Sequence, residues 1–410
     1  MSYIQASFPS LARLNSTFDV QRPLRICHLS KYYPPNPGGI ETHVQVLATA
    51  QTAMGAKVDV ICVNSKNDRG QDSQQTTTIE EFDGKVRVIR LGRMLSLARF
   101  DVCPAFLKHF ESTKYDIVHL QTPNPAMAMY WATSRATSPL VVTHHSDIVK
   151  QRFLKHAVNP LMHHVYSQAA RILTTSSGYR DGSNFLQAYQ SQVEVLPLGI
   201  DLSIYSQPSQ AAIAYAQTLR RQYRNPMWLC VGRLVYYKAL HVAIEALQSV
   251  SGTLMIVGKG ELAEALQQRA KELGVSDRIV WKPYMSQDEL VGAYHAATAL
   301  WFPSNARSEA FGLVQVEAMA SGCPVINAQI PNSGVTWVSR HDREGLTVPL
   351  NDAAALAQAA RRLLDPALRA KFSAASRVRS QEFDHVTMAR ESFKVYQAAI
   401  TSKAVQPALV

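Results

Sequence analysis

At 410 residues the chain exceeds what one hydrophobic core usually supports, so two domains are expected. A composition of 47% hydrophobic and 18% charged residues excludes disorder over most of the length, and a net charge of +11 calls for an anionic partner: nucleotide phosphates, nucleic acid or an anionic membrane face. Cys27, Cys62, Cys103, Cys230 and Cys323 show no metal-ligand spacing, the first two dozen residues lack an apolar signal core, and no run is long and apolar enough to span a bilayer. A cytoplasmic address is therefore expected.

In chain order, short runs rich in Val, Ile and Leu read as buried strands: 24–30, 57–63, 85–91, 116–122, 139–145, 171–177 and 193–199. The stretch 40–55 between the first two carries helical spacing and ends at Gly55, as helices often do. Strand–helix repetition of this kind predicts a parallel sheet covered on both faces. After a loop-like stretch with prolines and serines, 197–210, the pattern restarts with strands at 227–234, 252–260, 278–284, 297–304 and 323–329. The simplest architecture is α/β with two doubly wound, Rossmann-like halves, 1–203 and 204–384, and a last helix, about 385–410, crossing back onto the first half. Ligands of open α/β sheets bind at the carboxyl ends of the strands, so two facing sheets direct attention to the cleft between them and to the residues just after each strand.

After the first strand, Gly38 and Gly39 lead directly into a helix, where backbone N–H groups can approach an anion. A plain loop closing onto a helix explains the pair as well. After the fifth strand stand His144, His145, Ser146 and Asp147. An imidazole there can meet a sugar hydroxyl or a phosphate; metal binding is the other reading, but adjacent histidines on a strand point to opposite faces. In "VGRLVYYKAL", Arg233 and Lys238 lie just beyond a strand and suit a pyrophosphate, the alternative being two solvated surface cations. "VGKGEL", 257–262, is an incomplete dinucleotide fingerprint, without its third glycine.

The segment "SEAFGLVQVEAMASGCPVI" places Glu309 and Glu317 in an otherwise apolar run. A helix starting near Gly312 puts Glu309 in the loop before it and Glu317 one and a half turns inside. A polyhydroxyl ligand across that end would meet backbone donors and two carboxylate acceptors; locally, a capping Glu309 and a satisfied buried Glu317 would account for the same residues.

Taken together, "PPNPGGIETHV", "THHSDIV", "LPLGID", "VGRLVYYK", "VGKGEL", "YMSQDEL", "FPSNARSEAFGLVQVEAMASGCPVI" and "DREGLTVP" follow the order and spacing of one family. The chain resembles the retaining glycosyltransferases of the GT-B fold, and more narrowly family 4, whose E-x7-E motif matches Glu309 and Glu317. The resemblance implies that Arg233 and Lys238 bind the donor diphosphate, that Glu317 accepts from the ribose hydroxyls, and that Glu309 holds hydroxyls of the transferred hexose. It also implies backbone donors around Phe311, Gly312 and Leu313, Gly39 against the donor phosphates, and His145 facing the sugar, with His144 structural. No metal or cofactor is implied. Two departures stand out: Ala239 follows the lysine where the family often has glycine, and Pro283 replaces a common glycine near the expected base site.

The segment 325–349 resembles bacterial members that build exopolysaccharide or O-antigen repeats. The implied partners are a sugar nucleotide, GDP-mannose first and a UDP-hexose second, and a lipid-linked saccharide acceptor. Such an acceptor implies a peripheral position on the inner membrane face. Arg87, Arg90, Arg93, Arg99, Lys108, Lys114, Lys150, Arg152, Lys155 and Arg171 would then meet an anionic surface, helped by Phe153, Leu154, Leu161 and Met162 on an interfacial helix; a solvated basic helix is the plainer alternative. The rival classes are a GT-B sugar-nucleotide epimerase, an NAD-dependent enzyme and a basic nucleic-acid-binding protein. The last is disfavoured because no aromatic-interleaved basic patch or recognised module is present.

Overall fold

The computed structural model describes residues 22–36, 38–65, 75–97, 100–147, 152–223 and 226–405. Its strands are β1 (Arg25–Leu29), β2 (Lys57–Val63), β3 (Ile79–Asp83), β4 (Val86–Leu91), β5 (Leu95–Leu97), β6 (Phe100–Val102), β7 (Ile117–Thr122), β8 (Leu140–His144), β9 (Ala169–Thr174) and β10 (Val193–Val195), then β11 (Met227–Val231), β12 (Thr253–Val257), β13 (Ile279–Lys282), β14 (Ala299–Phe302), β15 (Val325–Ala328) and β16 (Gly345–Val348). Contacts divide the chain into two compact units. The first comprises 1–173, 189–194 and 388–410; the second comprises 174–188 and 195–387. The chain therefore crosses between units more than once, and 174–188 and 195–203 group with the second.

In the first unit the sheet order is β10-β9-β8-β7-β1-β2-β4-β3. β1 runs parallel to β2 and β7, β2 to β4, and β7 to β8, while the edge strand β3 is antiparallel to β4. Ile26, Leu29, Val60, Val118, Leu120, Val141 and Val142 are wholly buried, as strands covered on both faces require. The helix Gly39–Ala53 buries Val44, Leu47 and Ala48 and closes at Gly55, which adopts φ +97°. β3 and the hairpin β5–β6 escaped the sequence reading because short edge strands carry charges and alternate poorly: Ile79–Asp83 reads IEEFD.

The second unit has the parallel order β13-β12-β11-β14-β15-β16, the arrangement of a dinucleotide-type doubly wound sheet. Its strands alternate between two cores. Trp228, Cys230, Leu254, Ile256 and Trp301 face one, with the indoles of Trp228 and Trp301 stacked at 5.1 Å. Met227, Leu229, Met255, Leu300 and Phe302 face the other. The order reverses between β11 and β14, so the residues after these strands occupy the ligand-binding position of the fold.

All five cysteines are buried and unbridged. Among the described residues no helix is long and apolar enough to cross a membrane. The charges expected at a membrane interface fall into several groups. Arg90 and Arg93 are buried and cannot meet a surface: Arg90 pairs with Glu81 and donates to the Tyr33 carbonyl, and Arg93 pairs with Asp101. Arg87 pairs with Asp59 and Arg171 with Glu194. In the helix Arg152–Ser167, Met162, Val165 and Tyr166 are buried, so Met162 serves the core. Arg99 and Lys150 lie outside the described residues, as do the side chains of Arg152, Phe153, Leu154 and Lys155.

Candidate active site

The second unit gathers its functional side chains on the loops after β11 and β14. β11 turns at Gly232, whose φ of +146° few side chains tolerate and whose N–H donates to the Val257 carbonyl at 3.0 Å. The glycines of "VGKGEL" have a packing cause. A Cβ on Gly258 would lie 2.0 Å from the Gly232 oxygen, and one on Gly260 would lie 2.3 Å from the Leu234 oxygen. They let the loops after β11 and β12 lie backbone to backbone. Leu234 N–H donates to the Lys259 carbonyl at 2.9 Å and Leu262 N–H returns a bond to Leu234 at 3.0 Å.

Lys238 ends a 3-10 turn, Tyr236–Lys238, that follows this loop. The next residue, Ala239, adopts the left-handed conformation (φ 47°, ψ 39°) and caps the helix Leu240–Leu247. Glycine at that position would carry no Cβ cost, which is the physical content of its frequency in relatives; here the methyl is buried in the core, which offsets the cost. The Lys238 ammonium lies over the Phe302 ring at 5.0 Å and pairs with Glu309 Oε2. Ser304 Oγ donates to the same carboxylate oxygen at 3.2 Å. Both members of the pair are only about one-eighth exposed, 13% and 12%. Arg233 is exposed, and its Nη2 donates to the Tyr237 hydroxyl at 2.9 Å.

Glu309 is held from behind by the loop 330–334. Ser333 Oγ donates to the Glu309 carbonyl at 2.5 Å, and Gly334 N–H donates to the Ala310 carbonyl at 2.8 Å. Phe311 turns its ring into the core against Phe383 and Trp337, so only its backbone can reach a ligand. Gly312 adopts φ +79° and begins the helix Leu313–Ala320 with no side-chain cap; a Cβ there would meet the Phe302 ring at 2.7 Å. Gln315 N–H donates to the Gly312 carbonyl at 2.9 Å, and no side chain caps the N–H groups of Leu313 and Val314. A buried amide network fixes this corner. Asn327 Nδ2 donates to Gln315 Oε1 and the Ser339 carbonyl, both at 2.9 Å, and Gln315 Nε2 donates to the Phe311 carbonyl at 3.1 Å. Further along the helix, Glu317 accepts from the Tyr294 hydroxyl at 2.7 Å. Burial pushes the Glu317 carboxyl above its ordinary range, opposed by Tyr294, Tyr205 and the charge of Lys238.

In the first unit, Gly39 opens the helix Gly39–Ala53 with no side-chain cap, and a Cβ on it would meet nothing within 4 Å. Packing does not explain glycine there. Glu41 lies against Gly38, its Oε2 2.1 Å from where a Cβ would stand, which sets a carboxylate at this helix start. His145 follows β8 and is buried; its Nε2 lies 2.8 Å from Gln121 Oε1, and its ring meets His43 edge-on at 5.2 Å. Burial, then His43 and His144, holds it neutral, well below the ordinary imidazole range. His144 engages Tyr166 Oη at 2.7 Å and Asp147 Oδ1 at 3.1 Å.

The structure thus brings Lys238 and Glu309 into contact, sets Arg233, Gly312, Leu313 and Glu317 on the same strand-end loops and helix, and separates the Phe311 side chain from them. Sequence reasoning missed Ser304, Ser333, the Gln315–Asn327 pair and the buried row His28, His43, His119 and Gln121. The signal for its strand members, His28, His119 and Gln121, was present in the polar residues alternating through "RICHLS" and "DIVHLQT", whereas His43 lies on the helix Gly39–Ala53.

Two doubly wound sheets, each with polar and charged residues after its central strands, define the GT-B class of fold. HepE from Anabaena in complex with UDP superposes with a TM-score of 0.73 at 20% identity, covering 92% of this chain and all of that one. The chain belongs to the glycosyltransferases of family 4: residues 38–199 match the glycosyl transferase 4-like domain and 215–379 match glycosyl transferases group 1. D-rhamnosyltransferase WbpZ of Pseudomonas aeruginosa is 30% identical over 82% of this chain and 86% of its own length. O-antigen chain mannosyltransferase C of Escherichia coli is 28% identical over 82% and 87%. The protein is a glycosyltransferase.

Proposed function

We propose that the protein is a retaining hexosyltransferase that moves mannose from GDP-mannose to a lipid-linked saccharide acceptor in O-antigen or exopolysaccharide synthesis. The observation that carries the reading is the Lys238–Glu309 pair beside the uncapped helix start at Gly312, at the strand ends where this fold binds ligands. The mannosyl and deoxyhexosyl activities in the names of the two relatives support the donor and the polysaccharide setting.

Arg233 and Lys238 receive the diphosphate, the guanidinium as a fork and the ammonium as a point charge, so its charge is met without a metal ion. Glu317 accepts from the ribose hydroxyls. Glu309 accepts from the hexose hydroxyls, and the N–H groups from Phe311 to Leu313 donate. Gly39 lets the first helix approach the donor phosphates, and His145 meets the transferred sugar. The anomeric carbon–oxygen bond to phosphate breaks and the nucleoside diphosphate departs with the electron pair. The acceptor hydroxyl bonds to the same face of that carbon, and its proton passes to an oxygen of the departing phosphate. Positioning and charge stabilisation supply the rate enhancement. A lipid-linked acceptor brings the enzyme to the inner membrane face. Exposed Phe82, Met94, Leu95 and Leu107, with exposed Lys108 and Lys114, support that contact.

The test is transfer from GDP-mannose to a polyprenyl-diphosphate-linked saccharide, with the anomeric configuration of the product assigned by NMR. An α-linked mannosyl product is expected. An inverted linkage contradicts the retaining mechanism, and transfer from UDP-hexoses alone contradicts the donor.

A further inference from the structure

Register places a row of polar side chains on one face of the first unit's sheet, near the strand ends. His28 pairs with His119 across β1–β7, and Gln121 pairs with Thr143 across β7–β8. Residues two apart share a face, so His119, Gln121, Thr143 and, just past β8, His145 line up. The bonds follow that order: His119 Nε2 lies 2.6 Å from Thr143 Oγ1, and His145 Nε2 lies 2.8 Å from Gln121 Oε1. The His145 N–H donates to the Thr122 carbonyl at 3.1 Å, which fixes the backbone around the ring.

We propose that Gln121 is a positioning residue that sets the tautomer of His145: its amide carbonyl accepts from Nε2–H, leaving Nδ1 as the bare nitrogen that accepts from a sugar hydroxyl. The inference rests on the reading that His145 meets the transferred sugar. A buried neutral imidazole carries one proton, and the hydrogen bond made by one nitrogen decides what the other can do. The groups around the ring do not favour a second proton. Gln121 is uncharged, His43 on the facing helix is itself buried and neutral, and the nearest carboxylate on its own loop, Asp147, is engaged by His144. With the Gln121 amide turned over, its nitrogen would donate to a bare Nε2 and His145 would become a donor to the sugar. The intrinsic preference of a neutral histidine side chain for Nε2–H is smaller than the cost of burying an N–H with no acceptor, so removing the Gln121 carbonyl moves the proton. Gln121 therefore selects between a sugar-accepting and a sugar-donating histidine while being buried (2% exposed) itself.

The experiment uses the full chain labelled with nitrogen-15 in histidine, with two-bond proton–nitrogen correlations recorded at pH 7.5 and 6, and the His145 signals assigned by their loss in His145→Asn. The expected pattern is neutral Nε2–H. Gln121→Met, which keeps the volume and removes the acceptor, should change that pattern and lower kcat about 10- to 100-fold, more than it raises the donor KM. Gln121→Glu should keep the Nε2–H bond and near wild-type kcat at alkaline pH, and lose activity towards acid pH as its carboxylate favours a charged imidazole. An Nδ1–H pattern in the wild type, or an unchanged pattern in a folded Gln121→Met, overturns the proposal. If Gln121→Met does not fold, an unshifted pH profile in Gln121→Glu overturns it. Full transfer by His145→Asn would sink the sugar-facing role of His145, a result separate from the tautomer read by NMR.

Discussion

Lys238 and Glu309 neutralise one another, and each has a further partner: the Phe302 ring under the ammonium and Ser304 on the carboxylate. On the proposed function, a diphosphate bound at Lys238 would compete with Glu309 and free it to turn to sugar hydroxyls. Glu309→Gln separates the two roles. It removes the competitor for Lys238 while weakening acceptance from the hexose, so kcat/KM should fall about 10- to 100-fold with no loss of nucleoside diphosphate affinity. Calorimetric titration beside steady-state kinetics checks both halves. The spacing of the two glutamates and the lysine was legible in the sequence because charge in an apolar run stands out. Ser304 and Ser333 were not, since a serine in a loop looks the same whether or not it holds a glutamate, by its carboxylate as Ser304 does or by its backbone carbonyl as Ser333 does. The glycines of "VGKGEL" were visible, but their cause, contact between two loops distant in sequence, needs the fold.

At the scale of elements, the first unit's sheet, the helix Gly39–Ala53 and the C-terminal helix His385–Val405 share a buried polar core. Gln51 Nε2 donates to Ser392 Oγ at 2.9 Å and Tyr396 Oη at 3.0 Å, and Tyr396 Oη also lies 2.7 Å from His119 Nδ1. Burial lowers His28 to about 4 and His43 to about 3, and holds His119 well below the ordinary 6.5. Folded values below the unfolded one mean that above about pH 6.5 neither state binds these protons. Below it the unfolded chain takes up protons that the folded chain refuses, so stability is lost as pH falls from 6.5 towards 4. Each such histidine contributes a slope of about 1.4 kcal/mol per pH unit. Neither ring nitrogen of His43 has a hydrogen-bond partner among the described residues, so His43→Leu forfeits no bond and should flatten the acid limb by about one histidine's slope. Urea melts between pH 7 and pH 4.5 read the difference. An unchanged limb would mean that His43 takes up a proton in the folded state. The strands themselves were legible from their apolar runs, but strand order and the pairing of polar residues across β1, β7 and β8 are properties of the sheet and not of any one segment.

The whole molecule repeats one architectural idea, a doubly wound sheet with polar and charged residues after its central strands. That repetition was legible because the pattern of apolar runs restarts after residue 210. A single boundary near 203 could not express the division by contacts. Residues 174–188 group with the second unit, where Arg307 stacks over Tyr179 at 4.4 Å and a Cβ on Gly178 would lie 3.0 Å from the Ser333 carbonyl. Net charge was a poorer guide. Some of the arginines assigned to a surface sit in buried pairs, such as Arg93–Asp101, that add nothing to the +11. The most direct test of the central claim, that the loops after β11 and β14 with their following helix hold a nucleoside diphosphate, is thermal stabilisation of the wild type and Glu317→Ala by GDP, UDP and ADP side by side. A ligand that binds only the folded state adds about 2.7 kcal/mol at a hundredfold its Kd. Tm is expected to rise, most with GDP, and to stay unmoved in Glu317→Ala. A wild-type Tm that none of the three nucleotides moves, or an undiminished rise in Glu317→Ala, would contradict that claim.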